Sequence, residues 1–245
     1  MRTKEELADI LVSGVAGWFQ HIACQHLAGL VDEDTARMTI VQLLNAQNQF
    51  APVVDIVPPN WKGSKKRIDV GLKGTSTSFK GLYGAIELKW PGQSDDPHEC
   101  RLSTVQDAIR VAFVETHNLS AHFVLLAGES PWITTLFDKP HPQAQDREDR
   151  RVVFSSLFSR DLQKPCGEAD NKTLIQHFPK HLDRVPLNVA NNWNGKLTTE
   201  LLSKVNVCIG KRDVGNVFVW HCTRVRGRKQ NALLGSCSSA SNVDT

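Results

Sequence analysis

The six cysteines never come close enough in sequence to clamp a metal or staple a short loop. Cys24, Cys100, Cys166, Cys208, Cys222 and Cys237 are scattered, with no C-x-x-C pair. Structural zinc sites and disulfide frameworks rely on close, patterned spacing, so neither is expected to organise this chain. His98 with Cys100 and His221 with Cys222 are isolated His/Cys neighbours, too few in each place to complete a zinc site. His177 and His181 lie one helical turn apart without a third ligand and read as surface residues. Long apolar runs are missing too. Spanning a bilayer takes about 18 consecutive apolar residues. The nearest stretch, Ile10 to Phe19, is broken by Gly14 and Gly17 and runs into Gln20 and His21. Met1-Arg2-Thr3-Lys4-Glu5-Glu6 puts acids where a signal peptide carries only bases before its apolar core. The expectation is a cytoplasmic protein with no membrane contact. There is no G-x-x-x-x-G-K-[ST] phosphate loop, so the chain is not itself a nucleotide-driven motor, and it has no internal repeat.

What is present is ordinary in bulk. The 245 residues are 40% hydrophobic, enough for a full core in one elaborated domain or in a core with an appended region. Net charge is only +3, and its distribution is more telling than its sum. From Asn60 to Trp90 there are seven bases (Lys62, Lys65, Lys66, Arg67, Lys73, Lys80, Lys89) against Asp69 and Glu87. From Lys204 to Gln230 there are seven (Lys204, Lys211, Arg212, Arg224, Arg226, Arg228, Lys229) against Asp213 alone. Such stretches are solvated loops in the bland case. They equally offer a polyphosphate a surface from which condensed counterions are released.

Inside the first basic stretch lies the most informative pattern. Lys66-Arg67-Ile68-Asp69-Val70 and Gly84-Ala85-Ile86-Glu87-Leu88-Lys89-Trp90 both alternate as strands do. Period two puts Glu87 and Lys89 on one face and Ile86, Leu88 and Trp90 on the other. A hairpin turning around Ser78 sets Asp69 across from Glu87, within ~4.5–5.5 Å at Cβ. Two carboxylates and an ammonium then converge, an arrangement suited to a hard divalent cation. An acid-x-lysine triplet alone is cheap, and Asp170-Asn171-Lys172 is another, but that one sits in a polar stretch. The apolar alternation around Glu87, and its partner Asp69, set the first triplet apart.

Asp69 followed by Glu87-Leu88-Lys89 resembles the D…(D/E)xK signature of the restriction-endonuclease-like, or PD-(D/E)xK, nuclease superfamily. The resemblance covers residues 31–128. It implies an α/β fold with a mixed central sheet flanked by helices in αβββαβ order, the signature lying on the second and third strands. The periodicities fit that order. Thr35 to Gln47 reads as a helix, Ala51 to Ile56 as a strand closed by Pro58-Pro59, Ser103 to Thr116 as a helix, and His122 to Ala127 as a short strand. Glu33-Asp34-Thr35-Ala36-Arg37 is similar to the acid-and-arginine helix start of type I restriction nuclease domains. Gln106 with Arg110 is similar to the glutamine-x-x-x-tyrosine helix of RecB-like members. Ile68 replaces the signature proline, and Arg110 stands where that tyrosine would be.

The remaining divisions are an N-terminal helical extension (1–30), the core (31–130), a C-terminal elaboration (131–234) that is expected to contact DNA, and a Ser-rich disordered tail (235–245). Asp138 to Arg151 reads as a linker or excursion, Val152 to Phe158 as helix or strand, Thr198 to Val205 as a short helix, and Asn216 to Cys222 as a strand.

The family implies a metal-dependent DNA endonuclease. Asp69, Glu87 and the Leu88 carbonyl would hold Mg²⁺. Lys89 would orient or help deprotonate the attacking water and balance charge, while Glu33 and Gln106 assist. Products would carry 5′-phosphates. Lys65, Lys66, Arg67, Arg224, Arg226 and Arg228 are the expected DNA contacts. A type II restriction-like enzyme is the first expectation, and such enzymes commonly act as homodimers. A nuclease subunit of a defence, toxin or repair system, or a non-catalytic nucleic-acid-binding module on the same fold, stands behind it.

Overall fold

The computed structural model describes residues 3–61, 63–75, 81–92, 95–138, 145–186, 190 and 193–225. Its centre is a seven-stranded mixed sheet in the order β1-β2-β3-β4-β7-β6-β5. β1 (Phe50–Ile56), β2 (Ile68–Gly74) and β3 (Leu82–Lys89) form an antiparallel meander. β4 (Thr116–Glu129) runs parallel to β3, so the chain must cross over the sheet between them. Helix α3 (Pro97–Ala112) makes that crossover. β7 (Arg212–Val225) pairs antiparallel with β4, and β6 (Lys196–Ile209) and β5 (Cys166–Asp170) continue the sheet outward. The β6–β7 hairpin turns through Gly210, whose φ of 62° is the left-handed conformation that glycine adopts without a Cβ penalty.

Both faces of this sheet are covered, which explains why β4 buries Phe123, Val124, Leu125 and Leu126 in succession. On one face lie α1 (Lys4–Cys24) and α2 (Glu33–Ala46), whose Leu11, Val15, Phe19 and Ile40 pack with Val70, Leu72, Ile86 and Leu88. On the other lie α3, α4 (Ser130–Asp138), α5 (Gln145–Leu157) and α6 (Asn171–His177), packed around Val105, Ile109, Phe137, Phe154 and Trp220. Local signals start the helices. Thr3 and Glu6 form a capping box on α1, and Asp32 accepts from the Thr35 amide at 2.7 Å to start α2. Asp96 caps α3, with Pro97 in its first turn.

The order α2-β1-β2-β3-α3-β4 is the helix, three strands, helix, strand order expected from the pattern. Several other expectations are corrected. Thr198 to Val205 is not a helix but the middle of β6. The polar stretch before Arg151 is helical from Gln145, within α5, rather than a linker. β4 is a 14-residue strand, not a short one. β5, β6 and β7, from the C-terminal elaboration, belong to the same sheet as β1 to β4. α1 as a whole is long and apolar enough to cross a membrane by length and mean hydropathy (1.3), which reading only uninterrupted runs missed. Here its Leu7, Leu11, Val15 and Phe19 are buried in the protein core. The tail at 235–245 lies outside the described residues.

Candidate active site

Asp69 lies near the start of β2, and Glu87 and Lys89 near the end of β3. Extending the Val70↔Ile86 register by one residue sets Asp69 opposite Glu87. Ile86, Leu88 and Trp90 enter the core beneath α1 and α2, so Glu87 and Lys89 turn to the opposite face, towards α3. Asp69 Oδ2 accepts from the Leu88 amide at 2.9 Å. Leu88 thus meets the site through its N–H, which fixes the Asp69 carboxylate.

From α3, Arg110 forks onto Glu87. Its Nε donates to Oε1 at 2.6 Å and its Nη2 donates to Oε2. The same Nη2 lies 3.7 Å from Asp107 Oδ1 and 4.0 Å from Asp69 Oδ1. Lys89 Nζ is 3.0 Å from Asp107 Oδ2 and 3.3 Å from Glu33 Oε2 at the start of α2. The Asp107 contact is close enough for an ion pair but is not aligned as a hydrogen bond. Arg37 reaches Asp69 at 3.7 Å, and Arg184 donates to Asp107 at 2.7 Å. Glu33, Asp69, Glu87 and Asp107 therefore form one continuous network with Arg37, Lys89, Arg110 and Arg184, and Arg37 extends it to Asp34 at 3.1 Å and Asp55 at 3.7 Å.

Burial and crowding set the protonation preferences. Burial, followed by the Asp69 and Asp107 charges, pushes the Glu87 carboxyl well above the ordinary glutamate range despite Arg110. Burial also raises Glu33, with Lys89 opposing. Burial works against the Lys89 ammonium, but Asp107 and Glu33 outweigh it and hold its pKa above that of a free lysine. Lys89 is therefore a firm cation as it stands, which suits charge balance better than proton abstraction.

A cleft of about 310 Å³ opens beside this network, lined by Glu33, Lys89, Gln106 and Arg184 among others. Gln106 borders it but donates to the Lys180 carbonyl at 2.8 Å, so it secures the segment that carries Arg184. Asp107 and Arg184 escaped the sequence reading. Asp107 had a signal, since an acid one turn before Arg110 shares the helix with buried Val105 and Ile109. Arg184 had none, lying outside any periodic segment. Among the described residues no group of three or more His, Cys, Asp or Glu stands ready to hold a metal ion, because arginine and lysine side chains interleave the carboxylates.

The expected DNA contacts divide. Lys65 is exposed. Lys66 Nζ donates to the Asp183 and Val185 carbonyls, the latter at 3.0 Å, and Arg67 donates to the Asp55 carbonyl at 2.8 Å. Arg224 lies over the Phe113 ring at 4.5 Å. Arg226 and Arg228 lie outside the described residues. His181, read as a surface residue, is instead buried, its ring bonded to the Phe178 carbonyl and the Asn171 side chain. No protein-family model, no curated protein and no solved structure matches this chain, so any functional reading rests on its own side chains.

Proposed function

We propose that this chain is a divalent-cation-dependent DNA endonuclease of the PD-(D/E)xK, restriction-endonuclease-like kind. The observation that carries the reading is the placement of Asp69 and Glu87 on neighbouring strands, with Lys89 two residues on, in one charged network beside an open cleft. The order α2-β1-β2-β3-α3-β4 supports it. The donor chemistry fits a hard cation, since all four acidic groups offer carboxylate oxygens and Glu33 lines the open cleft. Asp69 and Glu87 would hold such an ion, with Glu33 close by.

When bound, Mg²⁺ supplies polarisation of the scissile phosphate and a lower pKa for the attacking water. The side chains do the rest. Lys89, fixed between Asp107 and Glu33, stays protonated and offsets negative charge as the transition state forms. Arg184 is partly exposed at the cleft and can grip a phosphate while Asp107 orients it. Hydrolysis would leave 5′-phosphate ends, and a homodimer acting on both strands, as in type II restriction enzymes, would suit a cytoplasmic nuclease of this kind.

The Arg110 fork on Glu87 favours one other reading, a DNA-binding module that no longer cleaves. Plasmid DNA incubated with the protein and Mg²⁺ separates the two. Cleavage is expected, and should be abolished by Asp69→Asn and by Glu87→Gln with DNA binding retained. Binding without cleavage by the unaltered protein, in Mg²⁺ and in Mn²⁺, would establish the module instead.

A further inference from the structure

Glu87 has no exposed surface, and Arg110 occupies both of its oxygens. A cation approaching from the cleft meets Glu33 and Lys89 first and can reach Glu87 only by taking those oxygens from the guanidinium. The network cannot simply be left without a counter-ion, because a buried carboxylate stripped of its partner is strongly destabilising. Exchange, in which the ion takes the oxygens that the guanidinium gives up, satisfies that constraint.

We infer that Arg110 is a built-in occupant of the divalent-cation site, and that the ion and the guanidinium compete for Glu87. The geometry gives the displaced side chain somewhere to go. Arg110 keeps 14% of its side chain exposed, and Asp107, one helical turn back, already lies 3.7 Å from its Nη2. A DNA phosphate entering the cleft would offer it a further partner, so substrate and ion would load cooperatively. Arg110 therefore acts through Glu87, by setting how tightly the ion is held. This inference rests on the proposed cation dependence.

The test is Mn²⁺ binding followed by electron paramagnetic resonance, together with thermal unfolding with and without Mn²⁺. Both are run on the full chain and on Arg110→Ala, Arg110→Lys and Arg110→Ala/Glu87→Gln. Arg110→Ala should bind Mn²⁺ roughly ten- to a hundredfold more tightly than the unaltered protein, since the charged hydrogen bonds to Glu87 no longer have to be broken. Its Tm should be low without the ion and rise more on adding it than the Tm of the unaltered protein does. Arg110→Lys, which keeps the charge but cannot fork, should fall between the two, and it decides the matter if Arg110→Ala does not fold. Equal or weaker binding in the folded variants would overturn the inference while leaving a cleaving, cation-binding protein intact as a nuclease. Tight binding that persists in the double variant would place the ion away from Glu87 and overturn it as well. Absence of Mn²⁺ binding in every form would remove both this inference and the proposed cation dependence.

Discussion

Asp107 and Asp69 carry the same charge in the same network, yet their substitution should have different consequences. Asp107 has no exposed side-chain surface and holds Lys89, Arg110 and Arg184 together. Asp107→Ala leaves three cations short of their shared counter-ion and should cost about 3–5 kcal/mol of stability. Asp69 is 14% exposed and its one short bond is accepted from the Leu88 amide, which an asparagine carbonyl can also accept. Asp69→Asn should stay within about 1 kcal/mol. Urea unfolding of the two variants checks this, and equal losses would show that Asp107 is not the hub. Lys89 gives a second contrast. If it serves as a fixed cation, Lys89→Arg should retain a measurable part of the cleavage rate while Lys89→Ala loses it; if Lys89 must surrender a proton, both fail, since arginine does not deprotonate. Asp69, Glu87 and Lys89 were legible in the sequence because two-residue alternation decides which strand face each occupies. Asp107 is harder to read: its one-turn spacing to Arg110 is a signal, but on a helix that is buried nearly all round an acid looks like a break in the apolar pattern rather than a site.

His122 on β4 and His221 on β7 stack at 6.1 Å across the seam that joins the two halves of the sheet. Burial, then the His221 and Arg224 charges, hold His122 down at about 4 from an ordinary value of 6.5. A histidine whose folded pKa is depressed favours the folded state when neutral. That stability is present in full above pH 6.5 and is lost as pH falls towards 4, by on the order of 3 kcal/mol at most. Denaturant titrations of the unaltered protein and His122→Gln, at pH 7 and pH 4.5, should show a smaller acid loss in the variant; parallel losses would assign the acid sensitivity elsewhere. β2 and β3 could be read from the sequence because large apolar residues recur at every second position, Val70 and Leu72 on one strand and Ile86 and Leu88 on the other. β6 could not. Leu197, Thr199 and Leu201 alternate inward, but the register shifts between Leu201 and Ser203, so Leu201, Leu202 and Val205 imitate helical spacing. α5 was hidden for the opposite reason. Its buried Phe154 and Leu157 fall at its C-terminal end, after a run of charged residues that reads as a loop.

Over the whole molecule, β7 pairs with β4 along seven residues and carries β6 and β5 with it, so the residues after 130 extend the sheet that holds Asp69 and Glu87. The segment between α6 and β6 then folds back to deliver Arg184 to Asp107, a contact 77 residues apart in sequence that no local pattern announces. Long-range closure of this kind also changes how the basic stretches should be read. Lys65, Lys66 and Arg67 look equivalent in sequence, yet Lys66 ties the Arg184 segment down through two carbonyls and Arg67 holds the Asp55 carbonyl. Lys65 and Arg67 are exposed, whereas Lys66 is half-buried. If the basic surface binds DNA phosphates, Lys65→Ala should lower the slope of log binding constant against log salt by about 0.9, the worth of one phosphate contact, and leave stability unchanged. Lys66→Ala should loosen the Arg184 segment, lowering Tm and weakening cleavage, with little change in that slope. Binding isotherms over a salt series, paired with thermal unfolding, separate the two effects. A lower slope in Lys66→Ala with an unchanged Tm would mean that its ammonium leaves the carbonyls to meet DNA, and that the segment carrying Arg184 is secured by Gln106 and Asp107 instead.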